Sequence, residues 1–316
     1  MKLKGNNIFI TGGAGFIASH FIERVIEDNE VVVFDNLHRN ALQYTNLQKH
    51  KNLRLIKGDV LDNESLAKAL GNADIAIHMA SIAGVGTVVS MPTTTLKINL
   101  IGSYNLLEAC REKNVKRYVT FSTSEVYGPN VYQADEAGFT TLGPIGKPRW
   151  VYAVSKLASE FLAESYHRQF GIKFTSVRPF NVYGPMQIGE GAIHNFIVRA
   201  LKNEPLTVHG DGSQIRSWLY ISDMVDALQK LLENDKSEGE VFNIGNPQAT
   251  STTLQTAETA IRLSSSKSKI TFKELKYPEV EIRVPSIEKA KRILGFEPKI
   301  GFEEGIKRTI DWYRKH

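Results

Sequence analysis

A glycine-rich turn near the N-terminus constrains the fold more than any other feature of the sequence. The apolar run Asn7–Ile10 is followed by TGGAGFIAS, then by an amphipathic pattern over Phe16–Glu27 and a β-branched run, Val31–Phe34. Glycines in a strand-to-helix turn permit a tight bend and let the backbone approach a pyrophosphate. The helix start that follows offers unpaired N–H groups and the positive end of its dipole. This pattern predicts a dinucleotide-binding βαβ unit.

An acidic residue at the end of the second strand indicates which dinucleotide binds. Asp35 lies about 20 residues beyond Gly15, where a carboxylate accepts hydrogen bonds from the adenosine ribose. It favours NAD over NADP because a 2′-phosphate would meet its charge, although Arg39 nearby leaves NADP open. The ends of the third and fourth strands should complete this site. The predicted contacts of this part are Gly12, Gly15, Phe16, Ile17, Asp35, Asn36, Asp59, Val60, Ala80, Ser81 and Ala83.

The alternation of strand and helix patterns continues through the first half of the chain. The strand-like runs are apolar on both faces, as a buried parallel sheet requires. Strict alternation implies right-handed βαβ crossovers, so we expect an α/β fold with a Rossmann-type doubly wound parallel sheet. The further predicted strands are Leu53–Lys57, Ile75–His78, Tyr118–Phe121 and Phe174–Arg178. The further predicted helices are Ser65–Leu70, Leu96–Lys113 and Val151–Phe170.

The regular alternation ends after Pro179, where prolines and glycines interrupt the pattern. We expect a smaller C-terminal α/β lobe there that binds substrate. The segment 217–245 contains a strand, a helix opened by Ser222 and Asp223, and a strand at Val241–Ile244, so it should return to the first domain. The predicted division is 1–180 and 217–245 for the NAD-binding domain, and 181–216 and 246–316 for the substrate lobe.

Composition narrows the class of protein and the setting in which it works. Apolar residues make up 42% and charged residues 23%, as in ordinary globular proteins. The net charge is +5, but lysine and arginine are scattered without stacking aromatics, so we expect no nucleic-acid partner. No apolar run is long enough to span a membrane, and the N-terminus is not a signal peptide. Cys110, the single cysteine, cannot form an intrachain disulfide, and a cytoplasmic location is the default expectation.

A tyrosine and a lysine on one predicted helix carry the catalytic prediction. Tyr152 and Lys156 are four residues apart and therefore share a helix face. A neighbouring ammonium lowers the pKa of a phenol, so a tyrosinate can take a proton from a substrate hydroxyl as hydride leaves the same carbon. Thr123, just past the strand Tyr118–Phe121, would hydrogen-bond the same oxygen. His78 ends an apolar strand without metal-ligand spacing nearby, so it is interpreted as a core histidine, and no metal is expected.

These motifs together resemble the extended short-chain dehydrogenases/reductases that modify nucleotide sugars. The resemblance covers TGGAGFIAS, GDV, HMAS, Asn99, STSEVYG, YAVSK, RPFNVYGP and LGFEPKIGFEEGI. It implies that Thr123, Tyr152 and Lys156 are catalytic, that the substrate is a UDP-, dTDP- or GDP-sugar, and that Leu96–Lys113 and Val151–Phe170 pair in a homodimer. It adds the cofactor contacts Asn99, Ser122, Tyr152, Lys156, Pro179 and Val182. It implies the substrate contacts Asn181, Asn195, Thr207, His209, Arg216 and Arg283, with a solvated loop arginine as the alternative for Arg216.

The residues after Thr123 bear on which reaction follows oxidation at C4 of the sugar. Ser124 stands where dTDP-glucose dehydratases carry an aspartate, and Glu125 stands where simple epimerases have a small residue. Thr-Ser-Glu, the string PIGKPRWVYAVSK and Arg283 in EIRVPSI resemble the UDP-glucuronate decarboxylases. Ser124, Glu125 and Arg283 are therefore added to the catalytic candidates, with Arg283 to orient the carboxylate.

Other reactions remain open at this point. GDP-mannose dehydratases also carry Thr-Ser-Glu, and arginine-x-proline occurs in other members, so Arg283 has a surface or phosphate-binding interpretation as well. A UDP-sugar 4-epimerase is the first alternative to the decarboxylase, and a nucleotide-sugar 4,6-dehydratase is the second. A non-catalytic sensor of NAD or nucleotide sugars on the same fold belongs to a different class, because fold does not determine function.

Overall fold

Parallel strands account for most of the regular structure in the computed structural model, which describes residues 2–274 and 280–316. The strands are β1 (Asn7–Thr11), β2 (Glu30–Asp35), β3 (Leu53–Lys57), β4 (Ile75–His78), β5 (Arg117–Phe121), β6 (Asn130–Ala134), β7 (Phe174–Pro179), β8 (Val182–Tyr183), β9 (Leu206–His209), β10 (Ile215–Ser217), β11 (Leu219–Tyr220), β12 (Glu240–Ile244), β13 (Thr250–Thr252), β14 (Ile270–Lys273) and β15 (Ile282–Pro285). The helices are α1 (Phe16–Val25), α2 (Asn63–Leu70), α3 (Val85–Ser90), α4 (Pro92–Leu96), α5 (Gly102–Glu112), α6 (Val151–Phe170), α7 (Ala192–Leu201), α8 (Ile221–Glu233), α9 (Thr253–Ser264), α10 (Glu288–Leu294) and α11 (Phe302–Tyr313).

The central sheet has seven parallel strands in the order β12-β7-β5-β4-β1-β2-β3. The chain runs outward from β1 to β3 on one side and from β4 outward on the other, so the order reverses between β1 and β4. Reversal of this kind opens a crevice at the carboxyl ends of the strands, where doubly wound sheets bind their ligands. The predicted Rossmann-type α/β fold is confirmed.

Alternation along the central strands places a helical layer on each face of the sheet. Ile8 and Ile10 of β1 pack in one hydrophobic cluster with residues of α1 and α8, whereas Phe9 packs in a second cluster with residues of α2 and α5. Successive side chains of a strand point to opposite faces, so a strand covered on both faces must be apolar throughout. β12 joins the central sheet and α8 packs against α1, whereas β11 pairs with β8 in a separate two-stranded sheet.

A second sheet of four strands, in the order β13-β10-β15-β6, builds the smaller lobe. Its strand β6 lies within the residues assigned by sequence to the NAD-binding domain, and that boundary needs correction. β6 pairs in parallel with β15, which follows it by about 150 residues. A short strand with a distant partner has no local signal, because pairing between strands is a tertiary event. The strand pairs β8–β11 and β9–β14 complete the sheets.

One predicted helix differs from the observed structure. The pattern Leu96–Lys113 is divided into α4, a π-helical turn at Lys97–Ile101, and α5. A π-helical turn inserts an extra residue into a helix and occurs frequently at functional sites. Within residues 2–274 and 280–316, no helix is both long and apolar enough to cross a membrane.

A buried ion pair ties α6 to β7. Both oxygens of Glu160 accept hydrogen bonds from Arg178, at 2.9 Å to Nε and 2.7 Å to Nη2, and both side chains are only 6% exposed. Glu160→Ala leaves the guanidinium buried without its carboxylate, and we expect the free energy of unfolding to fall by about 3–5 kcal/mol. The matched control is Glu304→Ala, which breaks an exposed pair with Arg308 and should cost less than about 1 kcal/mol. Urea unfolding measures the free energy of unfolding of both variants. Equal losses in the two variants would contradict the stabilising role assigned to the buried pair of Glu160 and Arg178.

Candidate active site

The glycine turn lies at the crevice between β1 and β4. Gly12 has φ +68°, and a Cβ atom there would stand 2.5 Å from the backbone nitrogen of Ala80, so only glycine fits. Helix α1 begins after Gly15 with no side-chain cap and no acidic residue in its first turn, which contains Phe16 and Ile17. The N–H groups of that turn therefore suit the phosphates of a dinucleotide.

Asp35 ends β2 beside this turn. Its Oδ2 accepts from the N–H of Ala14 at 3.0 Å and its Oδ1 from the N–H of Leu37 at 2.7 Å. Burial raises the pKa of Asp35, against the opposing effect of these two hydrogen bonds. The carboxylate is thereby fixed at the strand end, where it can still accept from ribose hydroxyls through its remaining lone pairs. Asn36 follows, and its side chain accepts from the N–H of His38 at 3.0 Å.

The predicted adenine contacts follow the edge strand β3. Asp59 is exposed, and its carboxylate accepts from the N–H of Leu61 at 2.9 Å. Val60 is buried, and its carbonyl accepts from the side chain of Asn105 at 2.9 Å. Both residues lie at the carboxyl end of the sheet, but their contact with adenine stays a prediction.

Asn99 links the loop after β4 to helix α6 through hydrogen bonds. In the loop Ala80–Ala83, the N–H of Ile82 donates to Asn99 Oδ1 at 2.9 Å. Asn99 Nδ2 donates to Ser155 Oγ at 3.0 Å, so a buried amide in the π-helical turn joins this loop to α6. The hydrogen bonds of Asn99 shown here are made within the protein, to Ile82 and Ser155, and its contact with the cofactor stays a prediction.

Thr123 and Tyr152 lie together at the start of α6, and Lys156 follows one helical turn later. The hydroxyls of Ser81 and Thr123 both hydrogen-bond to the phenol of Tyr152. Thr123 also begins the 3-10 turn Ser124–Tyr127, where its Oγ1 accepts from the N–H of Glu125 at 3.2 Å. A substrate hydroxyl that replaced one of these partners would meet the phenol directly.

The expected lowering of the tyrosine pKa is wrong for this structure. Burial, and after it the Glu125 carboxylate, raise the pKa of Tyr152. Burial also lowers the pKa of Lys156 to about 8, against the opposing effect of Glu160, so the lysine holds its proton less firmly than usual. Spacing along a helix predicts which residues are neighbours, whereas the pKa depends on how deeply both groups are buried.

A buried arginine pair surrounds Glu125. Arg149 donates from Nη1 to Oε2 at 2.5 Å and from Nη2 to Oε1 at 3.0 Å, and Arg283 Nη1 lies 3.5 Å from Oε1. Burial alone would raise the pKa of Glu125, but the charges of Arg283 and Arg149 lower it overall. Glu125 is therefore a carboxylate at neutral pH. Ser124, the remaining member of the predicted catalytic set, is buried in the same turn.

A cavity of about 730 Å³ opens between the two lobes, and Glu125 forms part of its wall. All six predicted substrate contacts line this cavity, as does the predicted cofactor contact Val182. Arg216 and Arg283 are register neighbours on β10 and β15, so two guanidinium groups reach one wall. The six substrate contacts are Asn181, Asn195, Thr207, His209, Arg216 and Arg283.

The substrate contacts differ in how they are held. Asn181 has φ +38°, and its side chain donates to the carbonyl of Ser217 at 2.8 Å. Arg216 Nη2 donates to the carbonyl of Val280 at 2.7 Å, so it is anchored rather than a freely solvated loop arginine. Asn195 is exposed on α7.

Two further predicted cofactor contacts lie at strand ends. Pro179 ends β7. Ser122 follows β5, and its N–H donates to the carbonyl of Val177 at 2.7 Å.

His78 is fully buried, as the sequence interpretation expected. Its Nδ1 shares a 2.7 Å hydrogen bond with Thr11 Oγ1, and burial together with the charge of Lys156 lowers the pKa of His78 to about 3. Nε2 has no hydrogen-bond partner among the described residues, so the histidine is only half satisfied. It is a neutral core residue beneath the cofactor crevice.

Arg149 and Glu190 are among the residues of the cavity wall that were not predicted. Arg149 lies within PIGKPRWVYAVSK, and this string was the available sequence signal for it. Glu190 accepts from the N–H of Gly86 at 2.8 Å and of Thr87 at 3.0 Å, which ties the chain beyond β8 to α3 across the cavity. No local pattern links residues about 100 positions apart.

Comparison with known proteins defines the family. Residues 8–245 match the NAD dependent epimerase/dehydratase family, and the chain belongs to it. It is 35% identical over 97% of its length to the UDP-N-acetyl-alpha-D-glucosaminuronate decarboxylase of Bacillus cytotoxicus, of which it covers 97%. It is 39% identical, over 97% of its length, to UDP-glucuronic acid decarboxylase 5 of Arabidopsis thaliana, of which it covers 89%.

A solved structure agrees with the fold as a whole. The UDP-glucuronic acid 4-epimerase of Bacillus cereus, in complex with UDP-glucuronic acid and NAD, superposes with a TM-score of 0.89 at 29% identity. The alignment covers 98% of this chain and 99% of that one. The predicted resemblance and the predicted NAD cofactor are confirmed by the family, whereas the individual site residues stay predictions.

The fixed position of Asp35 generates a prediction about the cofactor. Asp35→Ser removes the negative charge at the ribose, so we expect the preference for NAD over NADP to fall about tenfold, or about 1.4 kcal/mol. The control is Asp62→Ser, since Asp62 caps α2 at the surface and serine is an equally good cap. Titration of each variant with NAD and with NADP measures the ratio of the two affinities. An unchanged preference in Asp35→Ser would show that the discrimination lies elsewhere.

Proposed function

We propose that this chain is an NAD-dependent UDP-glucuronate decarboxylase. The observation that carries the proposal is the buried group of Glu125, Arg149 and Arg283 in the cavity wall beside Thr123 and Tyr152. An arginine in a substrate cavity suits a planar carboxylate, which it can bind through two parallel hydrogen bonds. The decarboxylases among its relatives support the same reaction.

In this reaction, oxidation of the sugar at C4 serves to make the C6 carboxylate easy to lose as carbon dioxide. When bound, NAD accepts hydride from C4 of the sugar and later returns it. Because burial raises the pKa of Tyr152, its phenol must first lose its own proton to solvent. The phenolate then takes the proton of the C4 hydroxyl while Thr123 hydrogen-bonds the same oxygen, and Lys156 supplies positive charge nearby. The resulting ketone lies β to the C6 carboxylate, which Arg283 orients.

Carbon dioxide leaves when the bond between C5 and C6 breaks and its electron pair moves into the enolate at C4 and C5. C5 then takes a proton, a step that we assign to Glu125 in the cavity wall, with Ser124 in the same turn beside it. Because Glu125 is a carboxylate in the resting protein, it must first take a proton from water in the cavity and then gives that proton to C5. Hydride return to C4 and proton return from Tyr152 complete the turnover.

A mass measurement separates this proposal from its alternatives. Incubation with UDP-glucuronate, UDP-glucose and UDP-N-acetylglucosamine should yield a product lighter by one carbon dioxide from the first substrate alone. A product lighter by one water would indicate a 4,6-dehydratase. An unchanged mass with a new sugar would indicate a 4-epimerase, the second candidate, which the Bacillus cereus neighbour favours.

The phenol of Tyr152 distinguishes a catalyst from a non-catalytic sensor. Tyr152→Phe removes the group that takes the proton, so we expect kcat to fall roughly 10²–10⁴-fold while NAD affinity changes little. Tyr132→Phe, at an exposed tyrosine, is the control and should leave kcat unchanged. Steady-state kinetics and NAD titration measure the two effects. Undiminished turnover in Tyr152→Phe would contradict the role of this tyrosine.

We also propose that the chain forms a homodimer through the helical face around α5 and α6. Large apolar side chains on this face are exposed, among them Tyr104 at 48% and Phe161 at 64%. Two copies that bury this face against each other would form a four-helix bundle.

We further infer a cytoplasmic location, because the single cysteine, Cys110, is a buried thiol that suits a reducing compartment.

A charge on the proposed interface tests the dimer. Phe161→Glu places a carboxylate where the partner would pack, so we expect a monomer. Phe272→Glu makes the same change at a similarly exposed phenylalanine on β14 and should leave the dimer intact. Sedimentation equilibrium measures the mass of both. A dimeric Phe161→Glu, or a monomeric native protein, would overturn the proposal.

A further inference from the structure

Arg149 is held in one conformation by its surroundings. It lies in the 3-10 turn Pro148–Trp150, directly before α6, and is only 4% exposed. Its guanidinium lies 5.6 Å from the centre of the Trp150 ring, which covers one face of it. Both of its terminal nitrogens donate to Glu125, one to each carboxylate oxygen. A bidentate pair of this kind fixes the plane of the carboxylate as well as its position.

Arg283 approaches the same carboxylate less closely. Its Nη1 lies 3.5 Å from Glu125 Oε1, and its Nη2 is 3.4 Å from the carbonyl of Gly128. Arg149 lies closer to Glu125, at 2.5 and 3.0 Å. The orientation of Glu125 is therefore set by the turn before α6 rather than by β15. Arg149 and Tyr152 are also joined by the first turn of one helix, so the carboxylate and the phenol share a rigid support.

We propose that Arg149 is a positioning residue, which holds the Glu125 carboxylate in the single orientation that presents it to the substrate beside Thr123 and Tyr152. The inference rests on the proposed decarboxylation, in which Glu125 manages a proton at C5. Arg149 itself acts through Glu125 and need not touch the sugar.

The charged groups around Glu125 predict how a loss of Arg149 appears in a pH profile. The groups that face it are Arg149 on the turn, Arg283 on β15 and Tyr152 on α6. Tyr127, on the same turn as Glu125, donates to Asn243 and accepts from Arg178 instead. With Arg149 removed, burial is opposed by Arg283 alone and the pKa of Glu125 rises. Activity that needs a proton on Glu125 is lost as pH rises through this pKa, so its basic limb moves to higher pH.

The experiment uses the full chain with NAD and UDP-glucuronate. We expect Arg149→Met to lower kcat roughly tenfold to a hundredfold, to change KM less than about threefold, and to move the basic limb of kcat upward by about one pH unit. Arg149→Lys keeps the charge without the fork, so it should restore the basic limb but only part of kcat. Arg117→Lys is the control: this buried arginine pairs with Glu238 at the other end of β5 and should leave kcat and the profile unchanged.

A double variant tests whether Arg149 acts through Glu125. In the Glu125→Gln background, Arg149→Met should lower kcat by less than about threefold further, because residues that act as one unit are not additive. A full additional loss there, or an unmoved basic limb in Arg149→Met together with unchanged kcat, would overturn the inference.

Failure of the proposed function has a different signature. If the native protein releases no carbon dioxide from UDP-glucuronate, the decarboxylase proposal falls, and the inference falls with it. If the native protein does release it and Arg149→Met matches the native kcat and profile, only the inference falls. Binding of UDP to each variant separates these outcomes from misfolding, and Arg149→Lys keeps the test decisive should Arg149→Met not fold.

Discussion

The parallel register between β1 and its two neighbours determines where the groups of the predicted cofactor site lie. Thr11, the last residue of β1, pairs with Phe34 of β2 on one side and with His78 of β4 on the other. The strands therefore end at one level, and the chain leaves each of them at the same edge of the sheet. The glycine turn, Asp35 and Ser81 follow three of these ends directly. A slip of one residue in either pairing would turn apolar side chains of a strand to the wrong face.

The electrostatics of the site are governed by burial. Glu125 stays ionised because Arg149 and Arg283 outweigh its desolvation, whereas the phenol of Tyr152 has a raised pKa because it is buried beside that carboxylate. Removing one partner of a buried ion pair typically lowers the free energy of unfolding by about 3–5 kcal/mol. A buried ion pair is therefore favourable only where the geometry of both partners is fixed. The bidentate contact of Arg149 supplies that geometry. A positively charged wall and a neutral phenol together suit a substrate that brings both a carboxylate and a hydroxyl.

The sequence predicts those parts of the fold and site that follow from local pattern. The bounds of α6, Val151–Phe170, agree with the prediction, because no proline or glycine interrupts this run and Gly171 ends it in the left-handed conformation. Gly12 and Asp35 were predicted from their places in one strand-turn-helix-strand unit. Strand β6 was missed because its partner β15 is distant in sequence. The pKa of Tyr152 was predicted in the wrong direction, since its burial depends on tertiary packing that spacing alone does not reveal.

The central claim is that hydride leaves C4 and returns to C4 within one turnover, with carbon dioxide lost in between. UDP-glucuronate carrying deuterium at C4 tests this directly when the reaction is run in ordinary water and the product is examined by NMR. The predicted product keeps the deuterium at C4, has lost C6, and carries a hydrogen from solvent at C5. A product that has lost C6 but carries ordinary hydrogen at C4, or a substrate that returns unchanged, would contradict the claim.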